Sequence, residues 1–450
     1  MKKVILAAAI SAAVAAPAAH AGVTIYGKMH ASIDFTDNSL GWAYYGHGVQ
    51  IDEIGATHEP YRYSGSFGSE DMGGVNSRAS RIGFKGTEDL GNGLSLVWKA
   101  ETGYDIADGG AWGGARNAYI GLAGDWGTFL YGIHDTPYKM STGRLDPFAD
   151  TAADFNAPTD FGAVTTNMFS FQDVRAENAI AYVSPNMNGL TFAAAIVPGA
   201  ESAEVFIPGW CDGDPSAAFC ADNSPEAHDG LADAYSVAAM YESNGLFLSA
   251  AFERLPTHST SWSVFDSPSF SLPIMGQQDK YRVGAGYTMN NLTVNGVFEH
   301  RVRDFGDISF WAYDQELEAE SDIWQVSAVY TFGNNALKVA YGQGDMSMGI
   351  GKSWDSGESF SDWFGLDGTF DSIGAELYGE QEVISVGLEH NFSKRTKAYA
   401  LYTMQEATFR GKVGADGDLT FSTSEPFDAL LGSELEAENS TFSMGLVHSF

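Results

Sequence analysis

Apolar and polar residues alternate along most of the chain, in runs of about ten residues that are separated by turns. The first run is the clearest, because its odd positions from Val23 to Phe35 are apolar or glycine, whereas most even positions carry polar side chains such as Lys28 and Asp34. A period of two is that of a β-strand with one apolar face. The pattern therefore predicts an all-β protein.

The connections between these runs alternate between short and long. Short turns fall at 242–245, 289–291, 333–335 and 393–395. Long, acidic links fall at about 37–75, 104–113, 134–173, 199–232, 256–278, 304–321, 345–380 and 409–438. With both termini on the short side, this alternation predicts about sixteen strands, an even number typical of barrels in bacterial outer membranes.

Closure into a barrel follows from hydrogen bonding, since an open sheet exposes unpaired backbone groups that hydrocarbon cannot satisfy. No segment after the N-terminal region holds the roughly 18 uninterrupted apolar residues that a spanning helix needs. Trp324, Tyr330 and Phe332 share one face of one run, as an interfacial aromatic girdle would. A soluble β-sandwich or propeller would also alternate, but it has little reason to segregate short and long connections. We therefore predict a transmembrane antiparallel β-barrel with short periplasmic turns and long extracellular loops.

The charge and the N-terminus narrow the functional class. The 450 residues include 24 Lys and Arg against 58 Asp and Glu, a formal net charge of -34, which argues against a nucleic-acid partner. Residues 1–21 have the form of a secretory signal peptide, with Lys2 and Lys3, an apolar stretch and an Ala-His-Ala cleavage site at 19–21. We expect the exported chain, 22–450, to form one barrel domain.

The two cysteines, Cys211 and Cys220, lie in one long acidic link. An exported protein enters an oxidising compartment, where such neighbouring cysteines are expected to pair with each other. The sequence therefore predicts a disulfide confined to this loop.

Several motifs resemble those of the Gram-negative general diffusion porins, the trimeric sixteen-stranded channels of the outer membrane. The resemblance extends over 22–450 and is carried by VTIYGK at 23–28, SRIGFKGTEDLGNGL at 80–94, RNAYIGL at 116–122, GDWG at 124–127 and 175–189. The last strand ends in Phe450, similar to the family's terminal aromatic that the barrel-insertion machinery reads. The resemblance implies a homotrimer that contacts outer-membrane lipid and lipopolysaccharide and has no cofactor.

The resemblance also implies that the third long loop folds into the lumen, with its carboxylates opposite a basic wall. The wall residues that match are Lys28, Arg81, Arg116 and Arg175. For three of them the alternation independently predicts an inward direction; for Arg116 the direction rests on the resemblance. The matching acidic segment holds Asp146 and Asp150, with Asp154 and Asp160 as weaker candidates, while Ile133 stands where many relatives carry an arginine.

The expected function is passive diffusion of ions and small hydrophilic solutes, with a mild cation preference from Asp146 and Asp150. A substrate-specific channel is the alternative within this class. An adhesive or structural barrel and a barrel enzyme are further alternatives. The sequence contains no His-Glu-x-x-His, Gly-x-Ser-x-Gly or Gly-x-Gly-x-x-Gly motif and no histidine spacing typical of a metal site, so we predict that the protein is not an enzyme.

Overall fold

The computed structural model describes residues 22–52, 55–109, 115–157, 159–160, 165–166, 170–198, 232, 234–255, 277–310, 313–350, 372–416 and 431–450. The predicted signal peptide at 1–21 lies outside the described residues, and so do Cys211 and Cys220. No helix in the described part of the chain is long and apolar enough to cross a membrane.

The described residues form strands and one short helix. The first strands are β1 (Thr24–Asp52), β2 (Gly55–Ser77), β3 (Arg81–Gly91), β4 (Leu94–Gly103), β5 (Ala115–Gly124), β6 (Gly127–Asp135), β7 (Thr159–Asp160), β8 (Thr165–Thr166), β9 (Arg175–Val183) and β10 (Leu190–Val197). They are followed by β11 (Ala234–Ser243), β12 (Leu246–Leu255), β13 (Gln277–Met289), β14 (Leu292–Phe310), β15 (Tyr313–Phe332), β16 (Asn335–Ile350), β17 (Ser372–Asn391), β18 (Thr396–Asp416) and β19 (Leu431–Ser449). The helix, α1 (Pro137–Thr142), follows β6.

The strands close into an antiparallel barrel. β1 pairs with β3 from Thr24 to Lys28 and with β2 from Ala31 onward, so β2 and β3 are one barrel strand interrupted between Ser77 and Arg81. Each later barrel strand pairs with the next, and β19 pairs back onto β1. Counted in this way, the described residues form the predicted sixteen strands, while β7 and β8 pair only with each other. Closure removes every sheet edge.

The alternation predicted from the sequence is present in the strands. On β1, Ile25, Met29 and Ile33 are exposed, whereas the intervening His30 and Ser32 are buried. Exposed apolar and buried polar residues are the reverse of the arrangement in a soluble protein, because the outward face of the barrel contacts hydrocarbon and the inward face contacts water and polar side chains.

Several strands are longer than the sequence pattern indicated. The stretches 37–75 and 304–321, which we expected to be links, are largely β-hairpins of β1 with β2 and of β14 with β15. A spanning strand needs about 9–11 residues, whereas β1 has 29. The backbone ladder continues past the apolar band because hydrogen bonding between strands does not require an apolar face.

Outward side chains become acidic where the strands leave the apolar band. Carboxylates lie directly opposite one another across neighbouring strands in two rows, Asp322, Asp345 and Glu380, and Glu382, Glu406 and Glu438. We call these six exposed residues the acidic belt. Like charges in directly opposed positions repel and weaken the pairing.

The described residues between β6 and β9 enter the barrel, and we call those within 136–173 the constriction loop. It begins with α1, where the Thr136 hydroxyl accepts a hydrogen bond from the Lys139 N–H at 3.4 Å and Pro137 occupies the first turn. Its later residues pack against inward-facing glycines of β13, β16 and β17, and Asp150 contacts Lys28 of β1. Contacts with strands on both sides place the loop inside the barrel.

Candidate functional site

Apolar side chains of the constriction loop pack against glycines on the inner wall. A Cβ atom at Gly284 on β13 would lie 2.6 Å from Leu145 Cδ1. A Cβ at Gly342 on β16 would lie 2.6 Å from Phe155 Cε2, and one at Gly387 on β17 would lie 2.9 Å from Phe148 Cε1. Larger residues would displace the loop, so these three positions determine how deep it sits.

Asp150 stands at the tip of the loop and faces the basic wall. Its carboxylate forms an ion pair with Lys28 and lies 3.7 Å from Arg81 Nη1. Asp150 has a left-handed backbone conformation with a φ of 64°, and its N–H donates to Asp154 Oδ2 at 2.6 Å. Burial alone would raise the pKa of Asp150, but the charges of Lys28 and Arg81 outweigh it and hold this pKa below its usual range.

The other two predicted wall cations are held by wall carboxylates. Arg116 Nε donates to Glu101 Oε1 at 2.6 Å, which settles the inward direction of Arg116. Arg175 Nη2 lies 2.9 Å from Asp135 Oδ1. The four predicted cations therefore lie on one side of the lumen, but only two of them contact the loop. A register shift where β4 pairs with β5, near Ala100, accounts for the irregular alternation around Arg116.

Asp146 and Asp154 are placed differently from our expectation. Asp146 accepts hydrogen bonds from the Phe148 N–H at 2.8 Å and the Phe155 N–H at 3.2 Å, so both carboxylate oxygens serve the fold of the loop. Burial raises the pKa of Asp146 to about 8, and the nearby charge of Asp154 adds to the shift. Burial also raises the pKa of Asp154. Neither carboxyl contributes a free negative charge to the pore, because each one accepts hydrogen bonds from backbone N–H groups of the loop.

Asp160, the weaker candidate, lies in β7 and pairs with Thr165 of β8. The backbone pairing gives it a place in a small hairpin beyond the loop tip.

Further inward charges were not singled out from the sequence. Glu389 accepts hydrogen bonds from Lys338 Nζ at 2.7 Å and from Lys397 Nζ at 2.9 Å. These residues line a cavity of about 240 Å³ between the loop tip and β16–β19, together with Lys28 and Asp150. Glu389 and the two lysines that donate to it each alternate along their strands with outward apolar residues, as Glu389 does with Leu388. This period-two alternation is the sequence signal that could have identified them.

The described ion pairs on the side of the barrel that Asp150 faces contain more cations than carboxylates. Nine cationic side chains take part, namely Lys28, Arg78, Arg81, Lys99, Arg116, Lys139, Arg175, Lys338 and Lys397. Five carboxylates pair with them, namely Asp34, Glu101, Asp135, Asp150 and Glu389. The lumen at the loop tip is therefore basic, although the whole chain is acidic.

The last residue completes the barrel. The Gly27 N–H donates to the Phe450 carbonyl oxygen at 3.0 Å, and the Phe450 N–H donates to the Gly27 carbonyl oxygen at 3.1 Å. The Phe450 ring occupies the space above Gly27, since a Cβ atom there would lie 2.4 Å from the ring. Phe450 thus contributes to closure between β19 and β1.

Comparison with known proteins decides the family. A sequence model described as Gram-negative porin matches residues 7–409. The chain belongs to this Gram-negative porin family. A major outer membrane protein P.IB of Neisseria gonorrhoeae is 26% identical over 346 residues, which cover 75% of this chain and 79% of the relative. An outer membrane porin protein of Bordetella pertussis is 32% identical over 199 residues, covering 43% of this chain and 47% of that protein.

Solved porin structures share the fold of this chain. An anion-selective porin from Comamonas acidovorans superposes with a TM-score of 0.53 and 16% identity, covering 96% of this chain and all of the other. A trimer form of OmpT from Vibrio cholerae superposes with a TM-score of 0.51 and 13% identity, covering 95% and 99% of the two chains. At these identities the likeness concerns the fold alone. The chain is thus an outer-membrane porin, a channel and not an enzyme.

Proposed function

We propose that this porin is a passive diffusion channel for ions and small hydrophilic solutes, narrowed by the constriction loop at the point where Asp150 contacts Lys28 and Arg81 of the wall. The observation that supports this proposal is the contact of one loop carboxylate, Asp150, with cations of the wall inside the barrel. Opposed charges create a transverse field that orients water and dipolar solutes, and the low-dielectric wall strengthens the field. Polar solutes keep their interactions there, whereas apolar solutes must disrupt ordered water.

The charge balance leads us to propose a mild anion preference. The cation preference expected from the sequence counted Asp146 as a pore charge, but this carboxyl is turned into the loop, where it accepts two backbone hydrogen bonds and burial raises its pKa. Among the described carboxylates of the loop, Asp150 is the one that contacts the basic wall, and cations outnumber carboxylates in the described ion pairs around it. Charges more than about 8 Å from the narrowest point are largely screened at physiological salt, so the local excess dominates.

Conductance in a planar lipid bilayer tests the proposed channel. Purified protein should insert in uniform conductance steps, and a KCl gradient should give a reversal potential of the sign that indicates anion preference. Absence of steps would support an adhesive or structural barrel. Block by one solute at low concentration would support a substrate-specific channel, and a reversal potential of the opposite sign would restore the cation preference.

The assembly and biogenesis of the protein are part of the same proposal. We propose that the signal peptide, residues 1–21, is removed and that recognition of Phe450 directs insertion into the membrane. The inserted chains form a homotrimer that contacts lipopolysaccharide. Mass measurement in detergent tests the trimer, and N-terminal sequencing of the exported protein should begin at Gly22. Deletion of Phe450 should reduce the amount inserted into the outer membrane.

A further inference from the structure

A second charged cluster lies behind the constriction loop, on β13 and β14. The side chains of Arg282 and Glu299 are fully buried between the wall and the loop. Arg282 Nε donates to Glu299 Oε2 at 2.7 Å, and Arg282 Nη2 also contacts this oxygen. A buried ion pair of this kind is costly to form and far costlier to leave half complete.

The same guanidinium reaches both ends of the constriction loop. Arg282 Nη1 donates to the Thr142 hydroxyl at 2.9 Å, at the end of α1, and to Asp173 Oδ1 at 2.6 Å, where the loop leaves the lumen. The group also lies 4.1 Å from the ring centre of Tyr138 and 5.0 Å from that of Phe171. Thr142 and Asp173 are 31 positions apart in the sequence, so Arg282 joins the two ends of the loop through one side chain.

Glu299 completes the connection from the wall side. Its Oε2 atom accepts the Tyr138 hydroxyl at 2.7 Å, so the carboxylate that pairs with Arg282 also holds the start of the loop. Nearby, Lys280 Nζ donates to the Gln172 carbonyl at 2.8 Å. The beginning and the end of the loop are therefore attached to the same small area of one wall.

We propose that Arg282 is a positioning residue that clamps both ends of the constriction loop and thereby holds Asp150 in its contact with Lys28 and Arg81 of the wall. This inference rests on the proposed diffusion function. Arg282 transmits its effect through the nine residues from Thr142 to Asp150. This stretch is also held by Leu145, which packs on Gly284, two positions from Arg282 on the same face of β13. Arginine is required because its planar group serves Glu299, Thr142 and Asp173 together.

Replacement of Arg282 by glutamine tests the clamp in planar bilayers. We expect R282Q to remain a folded porin but to show several conductance levels instead of one and to close at a lower voltage than the unaltered protein. Lysine at this position keeps the charge without the planar geometry, so R282K should lie between the two. Arg254→Gln is the matched control, because Arg254 is paired with Asp279 at 2.5–2.6 Å without a described bond to the loop.

A coupling measurement separates positioning from a general loss of stability. In the unaltered protein, Asp150→Asn should shift the reversal potential toward anions; in R282Q the same change should produce less than half of that shift, because Asp150 no longer holds its place. Equal shifts in both backgrounds, together with a single conductance level in R282Q, would overturn the clamp. If R282Q does not fold, Tyr138→Phe combined with Thr142→Val removes loop contacts while leaving the Arg282–Glu299 pair, and single-level conductance in that variant would equally overturn it. Absence of any channel in the unaltered protein would instead reject the proposed function.

Discussion

Asp150 is the position where a single charge is expected to change transport most directly. Its carboxylate is the loop charge that contacts the basic wall, through Lys28 and Arg81. Asparagine has nearly the same shape, so Asp150→Asn removes the charge while retaining most of the packing. The N–H of residue 150 can still donate to Asp154 Oδ2, which keeps the local turn.

The magnitude follows from the distance at which an ion passes. A unit charge about 4 Å from an ion contributes about 1 kcal/mol in water, which corresponds to about a fivefold change in local ion occupancy. Loss of the negative charge therefore favours anions and disfavours cations by up to this factor each. At 1 M salt the Debye length falls to about 3 Å, and the shift should shrink.

The assay is the reversal potential across a bilayer under a KCl gradient, at low and at high salt and at pH 6. Asp146→Asn is the matched control, since Asp146 lies in the same loop but is protonated below about pH 8 and directed into the loop. We expect Asp150→Asn to increase anion preference and Asp146→Asn to leave it unchanged. An unchanged reversal potential for Asp150→Asn, or an equal shift for both variants, would refute the assignment of Asp150 to the pore.

Four further outcomes are expected. The pKa of Asp146 is 3.8 in an unfolded chain and about 8 in the loop, so between these pH values the folded loop holds one more proton and its stability falls as pH rises. Channel closures should therefore be more frequent at pH 9 than at pH 6, and Asp146→Asn should remove that difference. Glu406→Gln relieves repulsion from Glu382 and Glu438 and should stabilise the barrel by about 0.2–1 kcal/mol in low-salt unfolding, whereas Glu389→Gln, which loses two lysine partners, should destabilise it. Gly387→Ala should displace Phe148 and change single-channel conductance, while Gly349→Ala, with open space around its Cβ, should not. Reduction of a Cys211–Cys220 disulfide, worth about 2–3 kcal/mol to its loop, should expose that loop to protease and leave the barrel folded; labelling of both thiols before reduction would contradict the pairing.

The barrel could be predicted from the sequence because its determinants are local and periodic. Alternation at Ile25, Met29 and Ile33 specifies the outward face, and the segregation of short and long connections specifies the strand count. The lengths of β1 and β14 could not be predicted, since polar strands above the membrane lack the apolar face that marks a strand. Backbone pairing alone extends them.

The site was predictable only in part, because it depends on contacts between distant residues. Lys28, Arg81 and Asp150 could be identified from alternation and resemblance, and the structure brings them together. The different roles of Asp146 and Asp150 depend on which backbone N–H groups each carboxylate meets, and no spacing in the sequence specifies that. Arg282 and Glu299 alternate with outward residues on their strands, but their connection to Thr142 and Asp173 exists only in the folded barrel.

The acidic composition and the basic lumen act on opposite sides of the barrel wall. Glu406 on β18 and Glu438 on β19 are exposed, whereas their neighbours Ala407 and Ala437 are buried, so the acidic belt faces the surroundings of the barrel. Lys28, Arg81 and Arg116 point inward, into water that a solute must cross. Since screening limits an exposed charge to about 8 Å at physiological salt, the belt has little effect on an ion at the loop tip. We therefore expect the formal net charge of -34 to be a poor guide to selectivity and the side chains around Asp150 to be a better one.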